Sequence, residues 1–173
     1  MNTLDDSRLS ADGASTADAP AVGTDAAGTS RPPAAPPVDT APRGIDEIVA
    51  AAREGRERVD ADDLPRLLDQ GAWLIDLRTP WTRDLEGHVP GGVVIEPTVF
   101  LWRLDPLSGS RLCDGPGYDD LVITMCNEGY SSTLAARDLR ELGFARATDV
   151  IGGFRAWAEA GLPIQAEPTR YIT

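Results

Sequence analysis

Only two cysteines, Cys113 and Cys126, and a single histidine, His88, occur among the 173 residues. The cysteines lie 13 positions apart and form no CxxC pair, and one histidine is too few for a mixed His/Cys zinc site, so no metal is expected. No apolar run approaches the roughly 18 residues needed to span a bilayer. The first residues, MNTLDDSRLS, lack the basic and apolar regions of a secretory signal. The expectation is a cytoplasmic protein with reduced thiols. Positive charge is also in deficit, with a formal net charge of -12. That balance argues against nucleic acid, whose phosphates would be repelled, and against anionic membrane surfaces. It leaves small anions open as substrates, because a local cradle of N–H groups binds an anion within an acidic surface. Neither a P-loop nor a GxGxxG fingerprint is present, and no internal repeat is visible.

The chain is long enough for one domain with a sizeable core and short for two. Residues 1–43 contain no aromatic side chain and consist mostly of Ala, Asp, Thr, Ser, Gly and Pro, with Pro32-Pro33 and Pro36-Pro37 near their end. So little apolar surface does not offset the entropy of ordering, and a disordered arm is expected. Residues 44–168 carry the pattern of a folded domain, and residues 169–173 read as a C-terminal tail.

Within the domain, Ile45, Ile48 and Val49 recur at helical spacing before Gly55. Asp60 to Asp63 offer caps for a second short helix with Leu64, Leu67 and Leu68 on its apolar face. Trp73-Leu74-Ile75 reads as a buried strand ending at Asp76, and a helical turn is expected over 80–85. Val93-Val94-Ile95 is a second strand, 98–104 a helix, and 107–118 a loop rich in Gly and Pro. A strand at 121–125, a helix from about Ser132 to Gly143, a strand over 148–151 and a helix over 154–160 complete the pattern. Short strands alternating with helices predict an α/β domain around a largely parallel sheet, with sites at strand C-terminal ends.

Cys126 occupies such a place. Leu121 to Met125 run into it, the polar loop Asn127, Glu128, Gly129, Tyr130, Ser131 follows, and the helix opens at Ser132. Loop N–H groups and a helix N-terminus converging on a sulfur stabilise negative charge there, so Cys126 is the candidate nucleophile. A small buried residue packed at a strand end fits the same placement.

Four segments, in order, resemble the rhodanese-like domains. Leu74-Ile75-Asp76-Leu77-Arg78-Thr79-Pro80 is similar to that family's "IDVRxP" block, and Gly87-His88-Val89-Pro90-Gly91-Gly92-Val93 to "GHIPGA". Cys126 to Ser132 resembles its active-site loop. Gly152-Gly153-Phe154-Arg155-Ala156-Trp157, with Gly161-Leu162-Pro163, resembles its closing block. The match spans residues 57–165. It implies a single α/β domain with a central parallel sheet and helices on both faces. It also implies a sulfurtransferase that passes a sulfane sulfur from thiosulfate or another persulfide donor, through a persulfide on Cys126, to an acceptor such as cyanide. The implied partners are a small sulfur-donor anion and a cyanide, thiol or protein acceptor, with no organic cofactor and no metal. A persulfide carrier or interaction module of the same fold with little turnover is the alternative.

The family's common loop, C-x-x-G-x-R-S, carries arginine five residues after the cysteine; here Ser131 stands there and Glu128 adds a carboxylate. The loop thus holds no cation, which weakens the case for a dianionic donor. The carboxylate is expected to raise the thiol pKa. Dual-specificity phosphatases of the same fold place arginine six positions after the cysteine, where this chain has Ser132. Gly129 is expected to let the loop curl, Tyr130 to form a rim and Ser132 to cap the helix. Ser131 either caps or donates to bound sulfur. Asp76 and Arg78 read as a buried supporting pair, His88 as part of a packing turn, and Cys113 as an incidental thiol.

Overall fold

The computed structural model describes residues 41–173. Five strands, β1 (Trp73–Asp76), β2 (Val93–Ile95), β3 (Val122–Met125), β4 (Thr148–Asp149) and β5 (Arg170–Ile172), form one sheet in the order β4-β3-β1-β2-β5. Every pairing is parallel, with Ile75 opposite Thr124 and Asp76 opposite Met125 at the centre. The helices are α1 (Ile45–Arg53), α2 (Leu64–Asp69), α3 (Pro80–Glu86), α4 (Phe100–Leu104), α5 (Ser131–Leu142) and α6 (Gly153–Glu159), with a 3-10 turn at Ala61–Asp63 before α2. No helix among the described residues is long and apolar enough to cross a membrane.

The central strands are buried on both faces, so they read as unbroken apolar runs. Successive side chains nevertheless point to opposite sides of the sheet. Ile75 and Val122 join Phe100, Leu104, Leu139 and Phe144 on the side covered by α4 and α5. Leu74, Ile123 and Met125 join Leu64, Phe154 and Trp157 on the side covered by α2 and α6. Each such fully buried large side chain contributes about 1.5–3 kcal/mol, which makes these two layers the main source of stability. The expected parallel sheet flanked by helices on both faces is the observed fold.

Two stretches differ from expectation. Residues 170–172 are a strand rather than a tail, because β5 pairs with β2 and completes the sheet edge. Its length of three residues and its half-exposed positions leave no alternating apolar signal. What holds it is remote in sequence: Tyr171 donates to Glu96 (2.7 Å), Arg170 pairs with Asp114 (2.8 Å), and Arg103 donates to the Thr173 carbonyl (2.6 Å). The strand expected over 148–151 is shorter, and Val150 instead bridges to Val59. The arm expected over 1–43 lies outside the described residues except for 41–43, which are exposed and irregular.

β1 and β3 lie side by side at the middle of the sheet, and the chain leaves them toward opposite edges. In open parallel sheets such a reversal opens a crevice at the strand C-terminal ends. Cys126 follows β3 immediately and therefore stands at that crevice.

Candidate active site

The loop from Cys126 to Tyr130 is clamped from two sides, and the clamps determine which way its peptides face. On one side, the Phe154 and Arg155 N–H groups at the start of α6 donate to the Cys126 and Asn127 carbonyls (2.9 and 3.0 Å). That approach needs Gly153. Its φ is +61°, and a Cβ there would collide with the Cys126 carbonyl oxygen and come within 2.8 Å of the Asn127 carbonyl. Gly153→Ala therefore adds about 1–2 kcal/mol for the left-handed backbone and about 1–3 kcal/mol of overpacking. Thermal unfolding should register the destabilisation, and the displaced loop should lower turnover roughly tenfold or more. Wild-type stability together with wild-type turnover would refute this role.

On the other side, the Gly129 carbonyl accepts from Arg53 Nη2 (2.6 Å) and Arg58 Nη2 (3.2 Å). With φ of +76°, Gly129 turns that carbonyl away from the sulfur and its N–H toward it. A Cβ on Gly129 would come within 2.9 Å of the Gly152 nitrogen and the Val150 carbonyl, so no other residue fits without rearrangement.

The result is a buried sulfur with donors converging on it. Cys126 is 7% exposed, the Gly129 N–H donates to Sγ at 3.2 Å, and Ser132 Oγ lies 3.2 Å from Sγ. Burial works against ionisation of the thiol. The hydroxyls of Ser131 and Ser132 and the N–H groups of Ser132 and Glu128 outweigh it and hold the Cys126 pKa below its ordinary value.

Two expectations are corrected here. Ser132 does not cap α5: the helix begins at Ser131, no side chain caps it, and the Ser132 hydroxyl lies between Sγ and Asp149 Oδ2 (3.3 Å). Glu128 does not push the thiol pKa up. Its exposed carboxylate turns outward to Arg155 Nε (3.6 Å), and the net shift of Cys126 is downward.

The remaining sites divide between loop, rim and support. Ser131 and Tyr130 are exposed, and the Arg53 guanidinium stands 5.3 Å from the Tyr130 ring centre. Asn127, oriented so that both ends of its amide are satisfied, donates to Glu86 (2.9 Å) and accepts from Arg155 (3.3 Å). Asp76 and Arg78 do not join this group. Arg78 spends its donors on Asp76 (2.7–3.1 Å), the Gly87 carbonyl (2.7 Å) and Glu86 (3.4 Å). His88 pairs through its backbone with Gln165, its buried Nδ1 has no partner, and burial holds its pKa below the ordinary value. Cys113 is exposed and free.

The sequence reading missed the cations. Arg53 and Arg58 stand behind the loop rather than in it. Arg58 is held above its ordinary pKa chiefly by its hydrogen bonds to Asp149, with the charges of Asp149 and Cys126 adding to them. Arg155, in the closing block, lies between Glu86 (3.4 Å) and Glu128 (3.6 Å) at the mouth.

The rhodanese-like domain family matches residues 60–160. The chain is similar to the thiosulfate sulfurtransferase GlpE of Actinobacillus pleuropneumoniae serotype 7 (strain AP76), with 45% identity over 97 residues covering 56% of this chain and 81% of that one. Among solved structures it resembles a protein of unknown function from Rhodopseudomonas palustris, described as a possible tyrosine phosphatase. That match has a TM-score of 0.65 and 27% identity, over 73% of this chain and 97% of that one. It also resembles the human single-domain sulfurtransferase, with a TM-score of 0.51 and 25% identity over 61% of this chain and 97% of that one. With more than half of its length matched in this way, the chain belongs to the rhodanese-like domain family.

Proposed function

We propose that this chain is a sulfurtransferase that carries a sulfane sulfur as a persulfide on Cys126. The observation behind this reading is the buried Sγ with the Gly129 N–H and the Ser132 hydroxyl at 3.2 Å, favoured toward thiolate despite its burial. The names of the sulfurtransferase relatives support the same class.

The reaction balances without an external oxidant. The Cys126 thiolate attacks the outer sulfur of thiosulfate, the Sγ–S bond forms, and the donor S–S bond breaks with its electron pair leaving on sulfite. Cyanide, or a thiol acceptor, then attacks the terminal sulfur, and the electrons of the Sγ–S bond return to Sγ. Neither half needs a metal or organic cofactor. The role of the cradle is to hold charge on sulfur in both halves through pre-aimed N–H and O–H groups. A reducing cytoplasm keeps Cys126 competent for the cycle.

The mouth shapes the choice of donor. Its cation, Arg155, is shared by the carboxylates of Glu86 and Glu128, and the loop supplies no arginine. This favours donors of lower charge than thiosulfate, such as a cysteine persulfide. An arginine at position 131 would add a charge-assisted contact to a dianion, worth about 1.5–3 kcal/mol. Ser131→Arg is accordingly expected to raise kcat/KM for thiosulfate roughly tenfold, measured as thiocyanate release; unchanged or lower activity would contradict this explanation.

The same missing arginine favours a second reading, a persulfide carrier that loads but turns over little. Intact mass together with thiocyanate release, with thiosulfate, cysteine persulfide and mercaptopyruvate as donors, separates the two. Steady turnover with any of them supports the transferase, loading without turnover supports the carrier, and failure to load from all three rejects both. Phosphoryl transfer is disfavoured, because position 132, where the phosphatases of this fold need arginine, holds a buried serine facing the sulfur.

A further inference from the structure

Behind the sulfur lies a buried carboxylate with no part in the transfer scheme. Asp149, at the end of β4, is 2% exposed. Arg58 grips it with two bonds, Nε to Oδ1 and Nη2 to Oδ2, both 2.8 Å. Thr133 Oγ1 donates to Oδ2 at 2.7 Å, and Ser132 Oγ lies 3.3 Å from the same oxygen. Since Ser132 Oγ is also 3.2 Å from Sγ, a continuous chain runs Arg58–Asp149–Ser132–Cys126. Ser132 is fully buried and its hydroxyl has one proton, so it donates either to the carboxylate or to the sulfur, never to both.

We infer that Asp149 is a positioning residue that holds the Ser132 hydroxyl ready beside Cys126, keeping its proton while the sulfur is neutral and releasing it when the sulfur becomes charged. In the thiol state, S–H donates to Ser132 Oγ and Ser132 donates to Asp149. When the thiol proton leaves to water at the mouth, the hydroxyl turns and donates to the thiolate. Asp149 loses little by this, because Arg58 and Thr133 still supply three bonds to it. Once Sγ forms its bond to the transferred sulfur it is neutral again, and the hydroxyl returns to the carboxylate. The longer 3.3 Å contact to Ser132, against 2.7 Å to Thr133, fits a hold that is meant to be given up.

The other charges around the sulfur do not reproduce this arrangement. Arg53 acts from α1 through the Gly129 carbonyl and Thr133 (3.3 Å). Glu128, Arg155 and Glu86 face the mouth and neutralise one another. Arg140 feels the field of Asp149 but spends its donors on the Ala147 and Ala52 carbonyls. Among the described residues, Asp149 alone combines a negative charge with a direct bond to the hydroxyl that serves Sγ.

The inference rests on Cys126 as the reactive thiol, and its test does not depend on which sulfur donor is correct. The full chain, with Cys113→Ser to leave one thiol, is alkylated with iodoacetamide across pH, and the midpoint of the rate is recorded. Asp149→Asn takes the charge from the competitor for the hydroxyl proton, leaving a weaker acceptor, and should lower the midpoint by about one pH unit. In a Ser132→Ala background the same substitution should shift it distinctly less, since the route through the hydroxyl is gone. Should Asp149→Asn not fold, Thr133→Val serves instead: Asp149 then depends more on Ser132, and the midpoint should rise. An unmoved or raised midpoint in Asp149→Asn, an equal shift with and without the Ser132 hydroxyl, or an unmoved midpoint in Thr133→Val would each overturn the inference.

Discussion

Cys126→Ser is expected to lower sulfur transfer by at least about a thousandfold, as loss of the nucleophile does in other covalent mechanisms. The substitution is close to isosteric and keeps the cradle: the Gly129 N–H and the Ser132 hydroxyl would face an oxygen in place of Sγ. What disappears is the chemistry. A serine hydroxyl is not ionised near neutrality, and oxygen forms no stable counterpart of a persulfide. Stability should change little, because the larger energetic features of the loop, its clamps at the Cys126, Asn127 and Gly129 carbonyls, involve backbone atoms. The matched control is Cys113→Ser, which removes an exposed thiol in the loop after α4 and should leave turnover intact. Thiocyanate release by both variants checks the pair. Substantial activity in Cys126→Ser would move the chemistry to another residue.

The largest effect on stability is expected at Arg78 rather than at the thiol. Arg78 and Asp76 are both 2% exposed. Their pairing is bidentate, and the Arg78 backbone N–H adds a further bond to Asp76 Oδ1 (2.9 Å). The guanidinium also stands 3.6 Å from the centre of the Phe154 ring and donates to the Gly87 carbonyl. Arg78→Met fills much of the space but leaves a buried carboxylate without its counter-charge, a loss of about 3–5 kcal/mol. Because the penalty belongs to the orphaned charge, Asp76→Asn combined with Arg78→Met should recover part of it. Chemical denaturation of the three proteins tests this. A single variant within about 1 kcal/mol of wild type, the value of an exposed pair, would contradict the role given to this contact.

Arg78 also illustrates why some of the site was legible in the sequence. Asp76 and Arg78 are two positions apart at a strand end, so their pairing is local and its motif is readable. The same holds for Cys126 and its loop, where a strand, a glycine-bearing turn and a helix follow within a few residues. The supporting cations were not legible because their partners are distant: Arg53 and Arg58 reach the Gly129 carbonyl across 76 and 71 positions, and Arg58 reaches Asp149 across 91. Nothing in the spacing of Arg58 marks it, and Asp149 reads as one polar residue in a short edge strand. The strand β5 was missed for a similar reason, since three half-exposed residues gain strand character only by pairing with β2.

The missing loop arginine changes meaning in this light. Read from sequence, the loop has no cation and one anion, which leaves the thiol only backbone support. In the fold, Arg58 lies behind the sulfur, and Arg53 holds the Gly129 carbonyl and with it the turn that aims the Gly129 N–H at Sγ. Positive charge therefore stands behind the sulfur, whereas the mouth, among the described residues, keeps only the shared Arg155. Under the proposed function, activation of the nucleophile and recognition of an anionic donor, which one loop arginine would serve together, would be separated in this chain.

The most direct measurement is the intact mass of the full chain after incubation with a sulfur donor. With thiosulfate or, more readily, cysteine persulfide, the mass is expected to rise by one sulfur atom located on the Cys126 peptide, and cyanide should return it to the starting value with release of thiocyanate. A chain that gains no sulfur from thiosulfate, cysteine persulfide or mercaptopyruvate, or gains it on Cys113, would contradict a persulfide on Cys126.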